Sequence, residues 1–332
     1  MILIDGSTGG GQMLRTCLGL SALTNKPFRM INIRGQRQNT GLKVQHLESI
    51  NAVRKICNGK VENAYLGSKE IIFTPGNIEP NKVLIKISTA GSIGLVLQAA
   101  LMPAIKEEII LTIKGGATYG KWAPPIDSLK NIVFPLYKKM GYDVKINEVK
   151  HGFYPMGKAK LKITSKKAKL KPLNIIKKGK IKNIKGISIA SNFLKDNKVA
   201  ERQAQKSSEM IFEQFKIKPK IEVKYVESAC PGSGLTLWIE TENTIIGADS
   251  LGELKKPSER VAEEACKKLI KNYKNATVDI NTADQLMPYM ALIGNSTIKV
   301  SSITDHMKNN AKTIEKFLNI KFKLENNIIK VS

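Results

Sequence analysis

Three histidines occur in the chain, His46, His151 and His306. His306 closes the polar stretch Ser302-Ile303-Thr304-Asp305-His306, just ahead of a helical pattern from Lys308 to Leu318. A helix N-terminus favours anions, and neutral imidazole is a competent nucleophile toward phosphorus near its ordinary pKa of ~6.5. That chemistry makes His306 the candidate catalytic residue, although a lone histidine there equally suits a surface or capping role. His46 follows Gln45 inside a helical pattern, where half-burial is the simpler reading. His151 opens His151-Gly152-Phe153-Tyr154-Pro155, a turn or an irregular strand.

Gly9-Gly10-Gly11-Gln12 links a first strand to a first helix. It suits close approach of backbone to a phosphate. No Gly-Lys-Ser/Thr follows, so it is not a P-loop, and a tight strand-to-helix turn explains it as well. Arg15, Arg34 and Arg37 could clamp a phosphate or lie on the surface. Asp284 opens a later helix, where capping that helix competes with holding a metal–phosphate. The four cysteines are widely spaced with no Cys/His cluster. A zinc site is therefore not expected, and reduced, buried thiols are.

These residues hang on a repeated unit. Residues 1–75 read as strand (Ile2 to Ile4), helix (Gly11 to Leu23), strand (Phe28 to Ile33), helix (Leu42 to Ile56) and two strands (Val61 to Leu66, Glu70 to Thr74). Residues 83–165 repeat the order, with helices predicted over Ser92 to Ile105 and Ile126 to Met140. A third copy has helices over Asp284 to Ile293 and Lys308 to Leu318, with Leu173 to Ile176 as its detached first strand. The helices show i, i+3, i+4 apolar spacing and the strands are short and β-branched. Residues 182–276 carry a pattern of their own, including helices over Val199 to Phe215 and Pro257 to Tyr273. The expected organisation is a repeat-built domain, 1–181 plus 277–332, interrupted by an inserted α/β domain, 182–276. In each repeat the link from second strand to second helix is polar, the usual place for function.

With 54 Lys and Arg against 28 Asp and Glu, the 332-residue chain carries a formal charge of +26. Such a field attracts polyanions, nucleic acid first among them; a lysine-rich surface bias is the plainer alternative. The stretch Lys158 to Lys185 holds twelve lysines and no acid, and a solvated face and a polyanion contact suit it equally. Aromatics are only 6%, which favours reading phosphates over stacking on bases. No apolar run nears the ~20 residues of a membrane span, and the N-terminus resembles neither a signal nor a transit peptide. A cytoplasmic location and no membrane partner are expected.

Taken together, the motifs resemble the RNA 3′-terminal phosphate cyclase family, in its archaeal type. The carrying residues are Asp5-Gly6-Ser7, Gly9-Gly10-Gly11-Gln12 with Leu14-Arg15, Ile33-Arg34 with Arg37, Gln45-His46-Leu47 and Thr89-Ala90-Gly91-Ser92. Ala123-Pro124-Pro125, His151-Gly152-Phe153-Tyr154-Pro155, Gly247-Ala248-Asp249-Ser250-Leu251-Gly252-Glu253 and Ala283-Asp284-Gln285-Leu286 follow in order. The resemblance spans essentially the whole chain. It implies an α/β (α+β) fold of three βαβαββ units, like the C-terminal fold of an initiation factor, with a smaller inserted domain. It implies use of ATP and a divalent metal (Mg or Mn). A histidine, here His306, would form a covalent AMP adduct, and AMP would pass to an RNA 3′-phosphate that closes to a 2′,3′-cyclic phosphate. By the same resemblance Gln12, Gln98, Pro124, Asn281, Thr282, Ala283, Asp284 and Gln285 would contact ATP, with Asp284 on the metal. Arg15, Arg34, Arg37, Gln45 and His46 would bind the RNA terminal phosphate. No obligate protein partner is implied.

The chain departs from the family pattern at Thr8, where a glutamate usually stands, at Asn281, where an aromatic stacks on adenine, and at Ser128. A non-catalytic cyclase-like protein of ribosomal RNA processing is the alternative; such relatives lack the histidine. An enolpyruvyl transferase shares the repeat architecture but handles small acidic substrates, which a strongly basic chain suits less well.

Overall fold

The computed structural model describes residues 1–79 and 81–332. Its first unit is β1 (Ile2–Asp5), α1 (Gly11–Thr24), β2 (Phe28–Ile31), α2 (Val44–Ile56), β3 (Lys60–Glu62) and β4 (Ile71–Thr74). The second is β5 (Asn81–Ser92), α3 (Ile93–Ala100), β6 (Ile109–Ala117), an interrupted helix from α4 (Ile126–Ser128) to α5 (Phe134–Lys139), β7 (Val144–Lys150) and β8 (Lys160–Ser165). The third begins at β9 (Asn174–Ile175). It breaks off for β10 (Ile181–Ser191), α6 (Val199–Phe215), β11 (Lys220–Val226), β12 (Ser233–Thr241), β13 (Ile245–Leu251) and α7 (Ser258–Asn275). It resumes with α8 (Ile280–Ile293), β14 (Ser296–Lys299), α9 (Asp305–Phe317), β15 (Phe322–Glu325) and β16 (Ile328–Val331).

Three four-stranded sheets share one order, β1-β2-β4-β3, β5-β6-β8-β7 and β9-β14-β16-β15. In each, the first pair is parallel and the rest antiparallel. A parallel pair needs a crossover, and the first helix of each unit supplies it. The fourth sheet, β11-β10-β12-β13, is covered by α6 and α7. One continuous core runs through the three units and a second lies under α6 and α7. Phe28 meets Phe317 edge-on at 6.0 Å, joining the first unit to the third. Tyr137 meets Tyr289 at 4.5 Å, joining the second to the third. A smaller cluster seats Tyr119, Ile132 and Phe153 on Ile187, Ile189 and Trp238 of the fourth sheet. Glycine is required there: a Cβ on Gly234 would lie 2.4 Å from the Tyr119 ring.

Helix α1 is buried from Gln12 to Leu23. Such all-round burial marks a helix packed on every side, and α9, α2 and α3 all pack on it. Its C-terminus stops at Asn25 in the left-handed conformation (φ 55°), a conformation asparagine tolerates.

Several elements differ from expectation for identifiable reasons. The helix predicted over 92–105 ends at Ala100, and Pro103 starts a separate 3-10 turn through Ile105. The helix predicted over 126–140 contains a π segment, Leu129–Val133, just before Pro135, whose missing N–H interrupts the α ladder. Asp284 does not cap its helix: α8 begins a turn earlier, because Asp279 accepts from the Thr282 N–H at 2.9 Å. His306 is not ahead of its helix but in the first turn of α9, which is capped by Thr304 through the Met307 N–H at 3.2 Å. The thiols of Cys17, Cys57, Cys230 and Cys266 are free and buried. Among the described residues no helix is long and apolar enough to cross a membrane.

Where the fourth sheet meets the second unit, Asp249 sits near Asp279 and accepts from the Ser128 hydroxyl at 3.4 Å. Burial, with Asp279 adding to it, pushes its carboxyl up to about 6. A carboxyl raised above its unfolded value of ~3.9 makes the folded state the tighter proton binder, so stability falls as pH rises from about 4 through about 6. Asp249→Asn should therefore raise Tm by a few degrees at pH 7 and leave it unchanged near pH 4. Melting curves of both proteins across that window check this, and equal pH dependence in the two would refute it.

Candidate active site

The N-terminus of α1 is the focus of the polar residues. Its cap, Gly10, offers no side-chain acceptor and the first turn holds no acid. By contrast α3 and α8 are capped by Ser92 and Asp279. The free N–H groups and dipole of α1 thus face outward without an internal partner, an arrangement that binds anions.

Basic side chains gather around that end. A Cβ on Gly11 would lie 2.5 Å from His46 Nε2 and 2.7 Å from an Arg15 Nη, so both side chains stand directly over the first turn. Gly10 is 3.9 Å from Arg37 by the same measure. Arg15 is only 6% exposed. It donates from Nε to Gln98 Oε1 at 2.9 Å, and no carboxylate pairs with it among the described residues. Burial pulls its pKa down to about 10, where it is still charged at neutral pH. Arg34 holds a left-handed backbone (φ 58°), and burial together with Arg37 lowers its pKa.

His46 stays neutral. Burial pushes its pKa down to about 3, and the charges of Arg15, Arg34 and Lys43 act the same way. Its Nδ1 accepts from the Lys43 N–H at 2.9 Å. The neutral ring must then carry its proton on Nε2, which points as a donor toward the first turn of α1. Gln45 is engaged elsewhere: its amide accepts from the Ser92 N–H at 2.5 Å and donates to the Ser92 carbonyl at 3.1 Å. That double bond ties α2 to the start of α3.

Next to this cluster lies a cleft of about 290 Å³, lined by Thr8, Gly9, Gly10 and Gln12 on one side and Asp305, His306 and Asn309 on the other, with Arg37 at its edge. His306 is exposed in it. Its Nδ1 meets Gln12 Oε1 at 2.9 Å. With the amide oxygen as acceptor, Nδ1 carries a proton, and Nε2 makes no hydrogen bond among the described residues. Among the described residues Gln12 Nε2 and Asp284 Oδ1 are both buried without a hydrogen bond. Burial pushes the Asp284 carboxyl up to about 7, with the Gln12 amide pulling the other way. Asn310 links the helices behind the cleft, taking a bond from Thr16 at 2.9 Å and donating to the Asp284 carbonyl at 3.0 Å.

The remaining candidates are spread more widely. Asn281 is exposed, whereas Thr282, Ala283 and Gln285 are buried in α8. Thr282 bonds Asp279, and Gln285 donates weakly to the Asn281 carbonyl at 3.4 Å. Pro124 sets its carbonyl against Gly94 in α3 and does not line the cleft. His151 is buried against Thr118 at 3.1 Å. Lys43, Asn309 and Asn310 were not singled out by motif; their roles arise from helix packing that spacing within one segment cannot reveal. Among the described residues no group of three or more His, Cys, Asp or Glu is arranged to hold a metal.

A family model described as RNA 3′-terminal phosphate cyclase matches residues 7–324. Proteins called RNA 3′-terminal phosphate cyclase are similar along nearly their full lengths. That of Caldivirga maquilingensis is 43% identical, covering 96% of this chain and 93% of its own. Those of Methanosarcina barkeri and Pyrococcus abyssi are each 40% identical, covering 98% and 99% of this chain and 97% and 96% of their own. A solved EPSP synthase from Acinetobacter baumannii aligns over 62% of this chain and 53% of its own at 9% identity with a TM-score of 0.22, too low to carry any argument.

Two outcomes test the anion site. Gly11→Ala suits a helix but must displace His46 and Arg15, so inorganic phosphate should raise the Tm of the wild type and not of the variant; equal stabilisation would rule the site out. In the phosphate-free protein, the His46 ring should show a neutral Nε2–H tautomer by nitrogen NMR from pH 8 down to pH 5. Because its folded pKa is depressed, the unfolded chain takes the proton first, and this residue costs stability as pH falls below ~6.5. A ring titrating near pH 6.5 would contradict the geometry.

Proposed function

Because the chain belongs to the RNA 3′-terminal phosphate cyclase family, a family of ligase-type enzymes, we propose that it converts an RNA 3′-terminal phosphate to a 2′,3′-cyclic phosphate in three steps driven by ATP. The observation that carries this reading is the bond from His306 Nδ1 to Gln12 Oε1, 2.9 Å long at the edge of the cleft. It leaves Nε2, on an exposed ring, without a protein partner among the described residues, the nitrogen that would serve as the nucleophile.

In the first step the His306 Nε2 lone pair attacks the α-phosphorus of ATP. The N–P bond forms, the bond to the β-phosphate oxygen breaks, and pyrophosphate leaves. The ring becomes cationic, and the Gln12 carbonyl, already accepting from Nδ1–H, stabilises that charge. In the second step an oxygen of the RNA 3′-phosphate attacks the same phosphorus. The N–P electrons return to Nε2 and AMP now caps the RNA end. In the third step the neighbouring 2′-hydroxyl attacks the terminal phosphorus, loses its proton and expels AMP. Adenylation turns a poor leaving group into a good one, and the cis-diol makes closure intramolecular.

Arg15, Arg34, Arg37 and the His46 Nε2–H grip the terminal phosphate at the α1 N-terminus, offsetting its charge. Gln45 serves through Ser92 and Gln98 through Arg15, as positioning residues. Gln12, Asn281 and Asp284 are assigned to ATP, and Pro124, which does not line the cleft, would act only through its contact with α3. Hard divalent cations take one or two carboxylates plus substrate phosphates, and the orphaned Asp284 Oδ1 fits that demand with Gln12 beside it. When bound, Mg or Mn would neutralise charge on the triphosphate. Residues 182–276 form the inserted domain of this reading, and the enzyme works in the cytoplasm. The non-catalytic alternative gains nothing from the site, because its histidine is present and oriented.

Incubation with α-labelled ATP and metal should give an acid-labile, alkali-stable protein–AMP bond. His306→Ala should abolish it, and Gln12→Ala should bind ATP but label on the order of 10²-fold more slowly, the scale of a misplaced reacting group. Equal labelling of wild type and His306→Ala, or none in either, defeats the mechanism.

A further inference from the structure

The sheet of the second unit turns one face to the core and the other to solvent, and lysine dominates the outer one. Strand register places Lys86 opposite Lys114, Lys114 opposite Lys160, and Lys160 opposite Lys150. All four are exposed. They form one row straight across the sheet, about 14 Å long at the usual ~4.8 Å between strands. Lys162 lies in the next row and Lys82 in the one beyond. Only Lys160 in the row has a partner, Glu148 at 2.9 Å; Lys86, Lys114, Lys150, Lys162 and Lys82 make no ion pair among the described residues.

Like charges directly opposite across strands destabilise a sheet, so this row costs the fold something. On the equivalent faces the first sheet has no such pair and the third has one, Lys330 opposite Lys323. The first sheet reads Leu3, Arg29, Ile72, Glu62 across, and Arg29 pairs with Glu70 at 2.8 Å. The third reads Asn174, Thr297, Lys330, Lys323, and Lys323 pairs with Glu325 at 3.1 Å. The same topology thus carries a row of four lysines across all its strands in one copy of three, against a single pair in another and none in the remaining one.

We propose that this face is a sequence-independent docking surface for the phosphodiester backbone of single-stranded RNA, taking the body of the substrate while its 3′ end sits at α1; the proposal deepens the cyclase reading and rests on it. Charge complementarity selects the occupant, since each lysine lies within a Debye length of its neighbours in the row and their potentials add. No aromatic stands in these rows, so bases are not stacked and phosphates are read. Position supports it too. Beyond Lys86, β5 runs through Ser88 to Ser92, whose backbone Gln45 holds beside His46. The row therefore borders the end of the sheet nearest the phosphate cluster.

The test compares wild type with Lys86→Gln/Lys114→Gln/Lys150→Gln on two 3′-phosphorylated substrates, a long single-stranded oligoribonucleotide and a dinucleotide. The variant should bind the long RNA on the order of 10-fold or more weakly at low salt, with a log K–log salt slope flatter by about 2, as expected from ~0.7 per lost single-strand phosphate contact. Its KM for the dinucleotide and its labelling by ATP should not change, and its Tm should hold or rise as repulsion is relieved. An unchanged slope for the long RNA overturns the proposal, as does an equal rise in KM for both substrates. Loss of affinity for polyglutamate alone, with RNA binding intact, also overturns it and assigns the opposite role of binding an acidic protein to the same lysines. Should neither protein take label from ATP while the long-RNA slope still flattens, the cyclase reading fails and the docking surface stands.

Discussion

Arg15 is a buried guanidinium whose hydrogen-bond partner is the neutral amide of Gln98. A buried charge without a counter-charge is costly, and its depressed pKa reflects that burial. The helix that carries it ends in an uncapped, acid-free N-terminus, which adds positive potential at the same place. Arg34 and Arg37 add more, while the bond from Lys43 N–H fixes His46 as a neutral donor. Such a cluster is stable only inside a scaffold that cannot relax away from it. The all-round burial of α1 supplies that rigidity, and the surrounding architecture serves to hold α1 in place.

The three units serve it differently, though they share one strand order. The first contributes the helix end itself and, through α2, His46. The second contributes Gln98 on α3, which orients Arg15. The third contributes α9, which packs closely on α1 and brings His306 within hydrogen-bond reach of Gln12. Repetition builds the shared core, while function comes from the places where the copies differ. α1 lacks the side-chain cap that α3 and α8 possess, so the corresponding helix end is closed in two units and open in one. The charge pattern on the outer sheet faces breaks the symmetry in the same way.

Much of this was legible in the sequence because each signal was local. Apolar spacing marked α6 from Val199 to Phe215 with both ends correct, and the repeat order followed from short β-branched strands. The Gly-rich loop, the arginines and His306 stood out by residue type. Errors arose where one residue's backbone chemistry overrode periodicity. Pro103 and Pro135 interrupted helices that the apolar pattern continued, and Asp279 started α8 a turn before its strongest apolar run. Tertiary contacts were the other blind spot. Gln12 and His306 are 294 residues apart in sequence, and nothing in either segment announces that one orients the other. Gln45 shows the converse: its side chain is spent on the Ser92 backbone, a distant partner that a motif cannot name.

The two halves of the site differ in burial, and the tasks proposed for them require it. A phosphate-gripping group should not move, because a fixed dipole or charge stabilises developing charge without reorganising. Arg15 and His46 accordingly lie under the surface, Arg15 locked by a bond to α3 and His46 by a bond to the cap of its own helix. In the proposed mechanism the nucleophile first takes a group from one substrate and then surrenders it to another, and so must remain accessible to both. His306 is exposed on the first turn of α9 and is held at one nitrogen only, leaving the other free. Gln12 sits at the junction, on the rigid helix yet bonded to the exposed ring, with its amide nitrogen turned to the buried side where Asp284 lies. A single amide thereby transmits the rigidity of α1 to the one side chain that has to stay in the open.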